Sequence, residues 1–211
     1  MRKSLTLCAD DFGLTPEICE GIIELAQNSC IDAASCMVTE PDFITYAQEL
    51  KACHDKVEIG LHFNLTEGKW LTQNYSYGLY PLILRTQLRL ISRKKLEAEF
   101  LAQLNKFREV MGFEPDFIDG HQHVHQFPVI RDALLSVYQS EFKTHKPWVR
   151  CTYPSLDLPE YRWKGFVLAL LGGMGMSRRL DRQHIPHAAY FSGLYDFDGA
   201  VDYSVLLNRW L

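Results

Sequence analysis

Two hydrophobic patterns alternate along this chain. Short apolar runs, typical of buried strands, are separated by stretches in which apolar residues recur three or four positions apart. The short runs predict strands at 5–9, 31–38, 57–61, 117–120, 148–151 and 188–191. Strands that alternate with helices in this way predict an α/β fold with a parallel sheet, helices on its faces and right-handed connections.

Capping residues and apolar periodicity locate the helices. Thr15 is an N-cap hydroxyl followed by Pro16 at the first helical position. Ser92 begins a long helix with an apolar face, and Gly112 ends it. The stretch 66–92 has no clear period and predicts a long loop, a candidate lid. Further helices are predicted around 43–50 and over 128–139, 161–171 and 203–211.

Composition and charge fit one globular domain spanning residues 1–211. A net charge of −4 offers no basic surface for phosphates, so we expect no nucleic-acid partner. The cysteines form no CxxC pair, which indicates reduced thiols and a cytoplasmic protein. The apolar run at 166–176 is far shorter than the roughly 20 residues that span a bilayer, so we expect no membrane segment.

Residues that bind metals or move protons fall where the predicted strands end. Catalytic groups of parallel α/β proteins gather at this edge because strands fix position while loops admit varied side chains. The residues are Asp10, Asp11, His62, His121, His123 and His125. Their placement predicts an enzyme.

The adjacent carboxylates Asp10 and Asp11 have two complementary uses at a strand end. One can bind a cation as an oxygen ligand while the other takes a proton from water. The alternative is a loop in which an aspartate caps the next helix. His62 and Asn64 share one face of a later strand, although a lone histidine in an apolar strand is often a hydrogen-bonded core residue.

The cluster of His121, His123 and His125 is the strongest local signal. With Asp119 these residues share strand parity, so an extended backbone would turn all four side chains to one face. At about 3.3 Å per residue the outer histidines would lie roughly 13 Å apart, too far to share one ion. At most two neighbours could then bind one metal, leaving the others for substrate or proton transfer. The alternative is a polar surface cluster in a loop.

Together these groups suggest a mononuclear centre of one aspartate and two histidines, with open positions for water and substrate. Such a donor set suits a divalent metal ion, with Zn²⁺ or Mg²⁺ as first choices and Co²⁺, Ni²⁺ or Mn²⁺ as alternatives. The ion would act as a Lewis acid.

Three segments carry a family resemblance: ADDFG at 9–13, GLHFNLTEG at 60–68 and DGHQHVH at 119–125. In this order and spacing they resemble the YdjC-like carbohydrate deacetylases, from Ser4 to about Gly193. The resemblance implies a distorted (β/α) barrel of the polysaccharide deacetylase type. It also implies a metal-dependent hydrolase that removes acetyl groups from N-acetylated sugars such as chito-oligosaccharides.

The same resemblance assigns roles to individual residues. It implies that Asp11, His62 and His121 bind the metal and that Asp10 is the general base. The leaving amine must be protonated, and His125 is the candidate for donating that proton or for holding the sugar.

Three further residues are candidates for substrate contact, namely Arg150, Asn64 and His123. Arg150 could equally be a charged residue at a surface strand end. The aromatic residues of the 66–92 stretch could stack on sugar rings or form a flap over the core. They are Trp70, Tyr75, Tyr77 and Tyr80.

The family pattern continues beyond the end of this sequence. Relatives run on through another helix and a strand that ends in a His-Pro segment near the active site, whereas this sequence ends at Leu211. We therefore expect an incomplete barrel, since the predicted strands fall about two short of a closed eight-stranded one. Activity would then be weak or absent, or a partner subunit in a homodimer would supply the missing edge.

Two other functions fit parts of this pattern. An amidohydrolase-like or sugar isomerase-like barrel also uses histidines at strand ends, but it would need a modified lysine or an extra carboxylate ligand on a late strand. A non-catalytic carbohydrate-binding or metal-binding remnant of the fold would keep its contacts without turnover. Neither a modified lysine nor a late carboxylate ligand is evident in the sequence.

Overall fold

The computed structural model describes residues 5–153, 162–193 and 202–210. A five-stranded parallel sheet forms their centre, and its strands follow one another in chain order. Sequential parallel strands joined by helices are the arrangement of a (β/α) barrel, so the predicted fold class is confirmed. The strands are β1 (Cys8–Phe12), β2 (Ala33–Cys36), β3 (Glu58–Phe63), β4 (Phe117–Gly120) and β5 (Trp148–Val149).

The helices follow the predicted caps closely. Thr15 Oγ1 accepts a hydrogen bond from Ile18 N at 3.4 Å, as an N-cap hydroxyl does. Ser92 caps the long fourth helix, and Gly112 ends it with a left-handed backbone at a φ of 78°. The described helices are α1 (Pro16–Gln27), α2 (Pro41–Lys51), α3 (Leu79–Gln87), α4 (Arg93–Met111), α5 (Ile130–Glu141), α6 (Arg162–Leu168), α7 (Met174–Arg182) and α8 (Tyr203–Trp210).

The core combines side chains of the sheet with those of α1, α2, α4 and α5. Phe100 and Phe107 on the apolar face of α4 are completely buried, and α4 packs on both β3 and α5. Burial of a side chain of this size contributes about 1.5–3 kcal/mol. Next to this layer, Gly60 of β3 lies against the Phe117 ring, because a Cβ at Gly60 would be only 2.5 Å from it. The packing fixes β3, the strand that carries His62.

β1 and β3 extend further at their carboxyl ends than predicted, whereas β2 and β5 are shorter than the predicted 31–38 and 148–151. β1 includes Asp10 and Asp11, and β3 includes His62, whereas we expected these residues to follow the strands. Apolar runs understate strand length here because polar side chains at the carboxyl ends find partners on neighbouring strands, so they do not end the backbone pairing. The prediction that the residues gather at one edge of the sheet does not depend on these boundaries.

The stretch 66–92 was expected to be a loop throughout, but it contains α3. This helix has Pro81 near its start, and it buries Leu82 and Thr86. A proline and a threonine at these positions hide the apolar period that would have predicted the helix. Within this stretch, residues 66–78 lie outside helices and strands, as expected.

The predictions for the C-terminal part are partly wrong. No strand forms over the described residues 188–191, and an isolated bridge pairs the preceding residue, His187, with Val149. The helix predicted over 161–171 continues from α6 through a π-helical turn (Ala169–Gly173) into α7, and Tyr161 lies outside the described residues. α8 matches the last predicted helix except for its final residue, which also lies outside them. None of the described helices has both the length and the apolar character needed to cross a membrane.

Candidate metal centre

Asp11, His62 and His121 meet at the carboxyl edge of the sheet. Asp11 Oδ1 lies 3.1 Å from His62 Nε2 and 2.7 Å from His121 Nδ1. The side chains come from β1, β3 and the turn after β4, so three distant parts of the sequence converge. Donors bound tetrahedrally at about 2.1 Å to one Zn²⁺ lie about 3.4 Å apart, so small shifts would let these three atoms bind an ion.

A bulge in β1 gives the two aspartates different partners. The register between β1 and β2 shifts between Ala9 and Phe12, and Asp11 has a left-handed backbone with a φ of 69°. Aspartate tolerates this conformation better than most residues, and bulges commonly redirect side chains next to active sites. Asp11 therefore contacts the two histidines, whereas Asp10 contacts Arg150.

The histidine segment does not continue as a strand after β4. His121–Gln126 forms a tight 3-10 turn, in which Gln122 and His123 have left-handed backbones with φ values of 51° and 58°. The prediction that the histidines share one strand face is therefore wrong, and the separation derived from an extended backbone does not apply. Gly120 permits the turn, because a Cβ there would lie 3.0 Å from His125.

Asp119 and Ser35 orient His62. Asp119 Oδ1 accepts a hydrogen bond from His62 Nδ1 at 2.6 Å and one from Ser35 Oγ at 2.5 Å. Asp119, Ser35 and His62 are all buried. With Nδ1–H donating to a carboxylate, the imidazole presents Nε2 toward Asp11, which is how metal-binding histidines are commonly oriented.

Arg150 bridges Asp10 and Asp119. Its guanidinium lies 2.6 and 2.7 Å from the two oxygens of Asp10 and 2.9 Å from Asp119 Oδ2. Because Arg150 is only 7% exposed, it is a buried charge with paired carboxylates and not a surface residue at a strand end. Cys8 Sγ adds a hydrogen bond to Asp10 at 3.3 Å. These contacts hold the Asp10 carboxylate in one orientation.

The cluster favours positive charge beside Asp11. Burial lowers the pKa of His62, but Asp119 and Asp11 outweigh burial and raise it to about 10. Burial raises the pKa of Asp11, yet hydrogen bonds from His121 and His62 outweigh burial and keep that pKa well below its usual range. Burial also raises the pKa of Asp119, but Arg150 and His62 outweigh burial and keep that pKa well below its usual range. Ionised carboxylates at this point create a negative potential suited to a cation.

His125 and His123 have partners outside the three-residue cluster. His125 is completely buried, its Nε2 donates to the backbone carbonyl of Arg150 at 2.9 Å, and burial lowers its pKa to about 4. His123 packs against Phe191 with ring centroids 5.0 Å apart. Partial burial of His123, with the nearby side chains of His125 and Arg150, lowers its pKa to about 3. Both imidazoles are therefore neutral near pH 7.

Asn64 closes the turn that follows β3. Its Nδ2 donates to Thr39 Oγ1 at 2.7 Å and to Glu67 O at 3.0 Å, and its Oδ1 accepts from the backbone N–H groups of Thr66 and Glu67 at 3.0 Å. Asn64 is fully buried, so its amide supports the turn. The turn carries Glu67, whose Oε1 lies 3.9 Å from His121 Nε2.

The aromatic residues before α3 pack mainly on one another. The buried Trp70 ring lies 5.7 Å from both the Tyr75 and Tyr77 rings, and its Nε1 donates to Leu65 O at 3.0 Å. Trp70 thus covers part of the core, as the flap alternative expected. Tyr80 on α3 is 82% exposed and keeps its ring open to solvent.

Ser35, Asp119 and Glu67 also lie in the site, although the sequence pattern predicted no role for them there. For two of them a signal was present, because Ser35 is a polar residue within a short apolar strand and Asp119 lies in the run before the histidines. A polar residue in a buried strand requires a hydrogen-bond partner. Glu67 had no such signal, since its position depends on the turn that Asn64 closes.

These features define an α/β barrel-type protein with a candidate mononuclear metal site at the carboxyl edge of its sheet. The family model described as YdjC-like protein matches residues 4–210. The chain therefore belongs to the YdjC-like family, and the resemblance carried by the three sequence motifs is confirmed.

Curated relatives share roughly a third of their aligned residues with this chain. A chitooligosaccharide deacetylase from Escherichia fergusonii is 30% identical over 152 residues, which cover 64% of this chain and 56% of the relative. A chitooligosaccharide deacetylase from Yersinia pestis is 34% identical over 137 residues, covering 62% and 53% of the two chains. The chain thus spans about half the length of these relatives.

A solved structure has a similar fold. It is that of a candidate cellobiose-phosphate cleavage protein from Enterococcus faecalis, which aligns with a TM-score of 0.64 and 21% sequence identity. The alignment covers 97% of this chain and 71% of the other. At this level of identity the similarity shows the fold alone.

Proposed function

We propose that this protein is a divalent-metal-dependent carbohydrate deacetylase that removes acetyl groups from N-acetylated sugars, with chito-oligosaccharides as the substrate class. One observation carries the proposal: Asp11, His62 and His121 converge next to a second carboxylate, Asp10, which a buried Arg150 orients. The deacetylase names of the two relatives support the same reaction.

Asp11, His62 and His121 would hold the metal, since one carboxylate and two imidazoles are suitable ligands for several divalent ions. Zn²⁺ and Mg²⁺ stay the first choices, with Co²⁺, Ni²⁺ and Mn²⁺ as alternatives. Such an ion, when bound, supplies Lewis-acid chemistry toward a carbonyl oxygen and a water molecule. Asp119 and Ser35 keep the His62 ring oriented for this purpose.

Asp10 is the proposed general base. Each of its oxygens accepts an N–H from Arg150 and keeps another lone pair that can take a proton from water. A positioned base of this kind contributes about 10²–10⁴-fold to the rate. We assign Arg150 to positioning Asp10, because its guanidinium is already engaged by two carboxylates, rather than to direct substrate contact.

The other predicted residues receive more specific roles. His125 is neutral near pH 7 and donates to the Arg150 carbonyl, so we assign it to positioning that segment rather than to protonating the leaving amine. Asn64 shapes the turn after β3. His123 is only partly buried and is the candidate among these three for contact with the sugar.

The activity of the whole protein is part of this proposal, because the chain spans about half the length of its deacetylase relatives. A single domain over the full chain, a cytoplasmic location and a homodimer stay predictions. Light scattering coupled to size-exclusion chromatography tests the homodimer by giving the mass in solution.

The alternative functions have less support. The described residues hold two groups of potential metal ligands, one of Asp11, His62 and His121 and one of Cys8, Asp10 and Asp119. Neither group includes a residue of β5. An amidohydrolase-like or isomerase-like site needs a ligand from a late strand. A non-catalytic remnant would show the same geometry as an enzyme, so turnover must distinguish the two.

The proposal is tested by measuring acetate release from a length series of N-acetylglucosamine oligomers. The purified protein is assayed after chelation and again with Zn²⁺, Mg²⁺, Co²⁺, Ni²⁺ or Mn²⁺ restored. We expect chelation to abolish release and at least one ion to restore it. Release that survives complete chelation would contradict the metal dependence, and silence with every ion would favour the non-catalytic remnant.

A further inference from the structure

Glu67 lies beside the metal cluster without a role in the proposed reaction. Its Oε1 is 3.9 Å from His121 Nε2, a buried atom with no hydrogen-bond partner among the described residues. We propose that Glu67 is a positioning residue that orients His121, and that a buried hydrogen-bond relay from α4 fixes Glu67 in place. The inference rests on the proposed metal centre.

The backbone of Glu67 is fixed at both of its polar groups. Glu67 N donates to Asn64 Oδ1 at 3.0 Å, and Glu67 O accepts from Asn64 Nδ2 at 3.0 Å. Gly68 follows with a left-handed φ of 57°, and a Cβ there would lie 2.6 Å from Glu40 Oε1. The turn therefore has little freedom, and only the side chain of Glu67 can adjust its distance to His121.

Gln103 on α4 secures Asn64 in turn. Its Oε1 accepts from Asn64 N at 3.0 Å, and its Nε2 donates to Asn64 O at 2.7 Å. Both side chains are fully buried, where a hydrogen bond is costly to leave unmade. The end of β3 is thus attached to α4 through a side chain, beyond the last pair of the sheet.

Glu99, one helical turn before Gln103, secures the far side of the same loop. It is fully buried, and it accepts hydrogen bonds from Leu71 N and Thr72 N at 2.9 Å and from Thr72 Oγ1 at 2.6 Å. A fourth bond comes from Gln103 Nε2 at 2.7 Å. A buried carboxylate is stable only when its oxygens are fully hydrogen-bonded. The bonds to Glu99 therefore hold the 64–72 loop on α4.

The contact between Glu67 and His121 determines which ring nitrogen of His121 can bind a metal. A carboxylate that accepts one ring N–H of a metal-binding histidine fixes its tautomer and ring orientation. With Nε2–H directed at Glu67, His121 presents Nδ1, the atom that lies 2.7 Å from Asp11 Oδ1. The Glu67 side chain is 45% exposed, so a change of rotamer can shorten its 3.9 Å distance to His121 Nε2.

Titration of the metal-free protein with Co²⁺, followed by its absorption spectrum, tests the role of Glu67. We expect Glu67→Gln to weaken Co²⁺ binding about 10–100-fold and to change the spectrum, because a neutral amide oxygen is a weaker acceptor for the imidazole N–H than a carboxylate. Glu109→Gln, on an exposed part of α4, is the control and should change neither the affinity nor the spectrum. Wild-type affinity and spectrum in Glu67→Gln would overturn the proposal.

A double-mutant cycle tests the relay. Glu99→Gln should weaken Co²⁺ binding less than Glu67→Gln does, and the double variant should bind no more weakly than Glu67→Gln alone, because Glu99 acts through Glu67. Thr72→Val, which removes one bond to Glu99, is the milder version and should show the same non-additivity. Additive losses would overturn the relay.

Cobalt affinity also separates this inference from the proposed function. A wild-type protein that binds Co²⁺ but releases no acetate would contradict the deacetylase proposal, while weakened binding in Glu67→Gln would still support the role of Glu67. Equal binding by the two proteins, with metal-dependent acetate release, would contradict the role of Glu67 alone. Absence of binding by the wild type with every one of Zn²⁺, Mg²⁺, Co²⁺, Ni²⁺ and Mn²⁺ would overturn both.

Discussion

Asp10 and Asp11 are adjacent in the chain but have different partners, Arg150 in one case and two histidines in the other. This difference makes their roles separable by matched substitutions. We expect Asp11→Asn to lose metal affinity by at least about 100-fold and acetate release with it, because a neutral amide is a poor ligand. Asparagine suits the left-handed backbone at this position, so the fold should persist.

Asp10→Asn should keep metal affinity within a few-fold of wild type while acetate release falls by about 10²–10⁴-fold. Isothermal titration with Zn²⁺ and the acetate assay measure the two quantities on the same samples. Glu109→Gln, on an exposed part of α4, is the control that should change neither. Equal loss of metal binding in both aspartate variants would contradict the division of roles.

His125 predicts a specific pH dependence of stability. Its pKa is about 4 when folded and about 6.5 in an unfolded chain, so the unfolded state binds more protons between these values. Its contribution is fully present above about pH 6.5 and is lost as the pH falls toward 4, by on the order of 3 kcal/mol. The free energy of unfolding of the metal-free protein, measured with urea at several pH values, should fall less steeply between pH 6.5 and 4 in His125→Gln than in the wild type. An equal pH dependence in the two proteins would contradict this role of His125.

For individual residues, the sequence predicted which side chains lie in the site better than it predicted which side chains contact one another. The motif positions of Asp11, His62 and His121 were sufficient to propose one ligand set. The buried pairing of Arg150 could not be read from a strand pattern, since it depends on carboxylates from two other strands.

At the element scale, local signals predicted the helices that have clear caps. The start of α1 lies at Thr15-Pro16, as predicted. The helix α4 begins after Ser92 and ends at Gly112, also as predicted. The two elements that shape the site gave no such signal. The β1 bulge depends on pairing with β2, and the histidine turn depends on close contact between Gly120 and His125, so both are tertiary effects.

Gly60 provides a test of how tightly β3 is placed. Gly60→Ala should lower the unfolding free energy by about 1–3 kcal/mol, because the new methyl group overlaps the Phe117 ring. The matched change Gly21→Ala in α1 has open space around it and should stabilise by about 0.5–1 kcal/mol. Thermal unfolding of the two variants measures both effects. Similar melting temperatures for the two would contradict the packing described for β3.

At the scale of the whole molecule, the proposed ligands lie on three parts of the chain that only folding brings together. A metal that binds the folded state alone stabilises it by about 2.7 kcal/mol at a hundredfold excess over Kd. Zn²⁺ should therefore raise the Tm of the wild type, and chelation should reverse the shift. An equal shift in Asp11→Asn would show that the ion binds elsewhere.

Whether Asp11, His62 and His121 hold a catalytic ion is tested most directly by acetate release from N-acetylglucosamine oligomers. Release is measured for the wild type and Asp11→Asn against equivalents of Zn²⁺ added to the metal-free proteins. We expect wild-type release to rise from zero and to saturate near one ion per chain, while Asp11→Asn stays inactive. Release that is independent of added metal, or equal in the two proteins, would contradict a catalytic ion held by Asp11, His62 and His121.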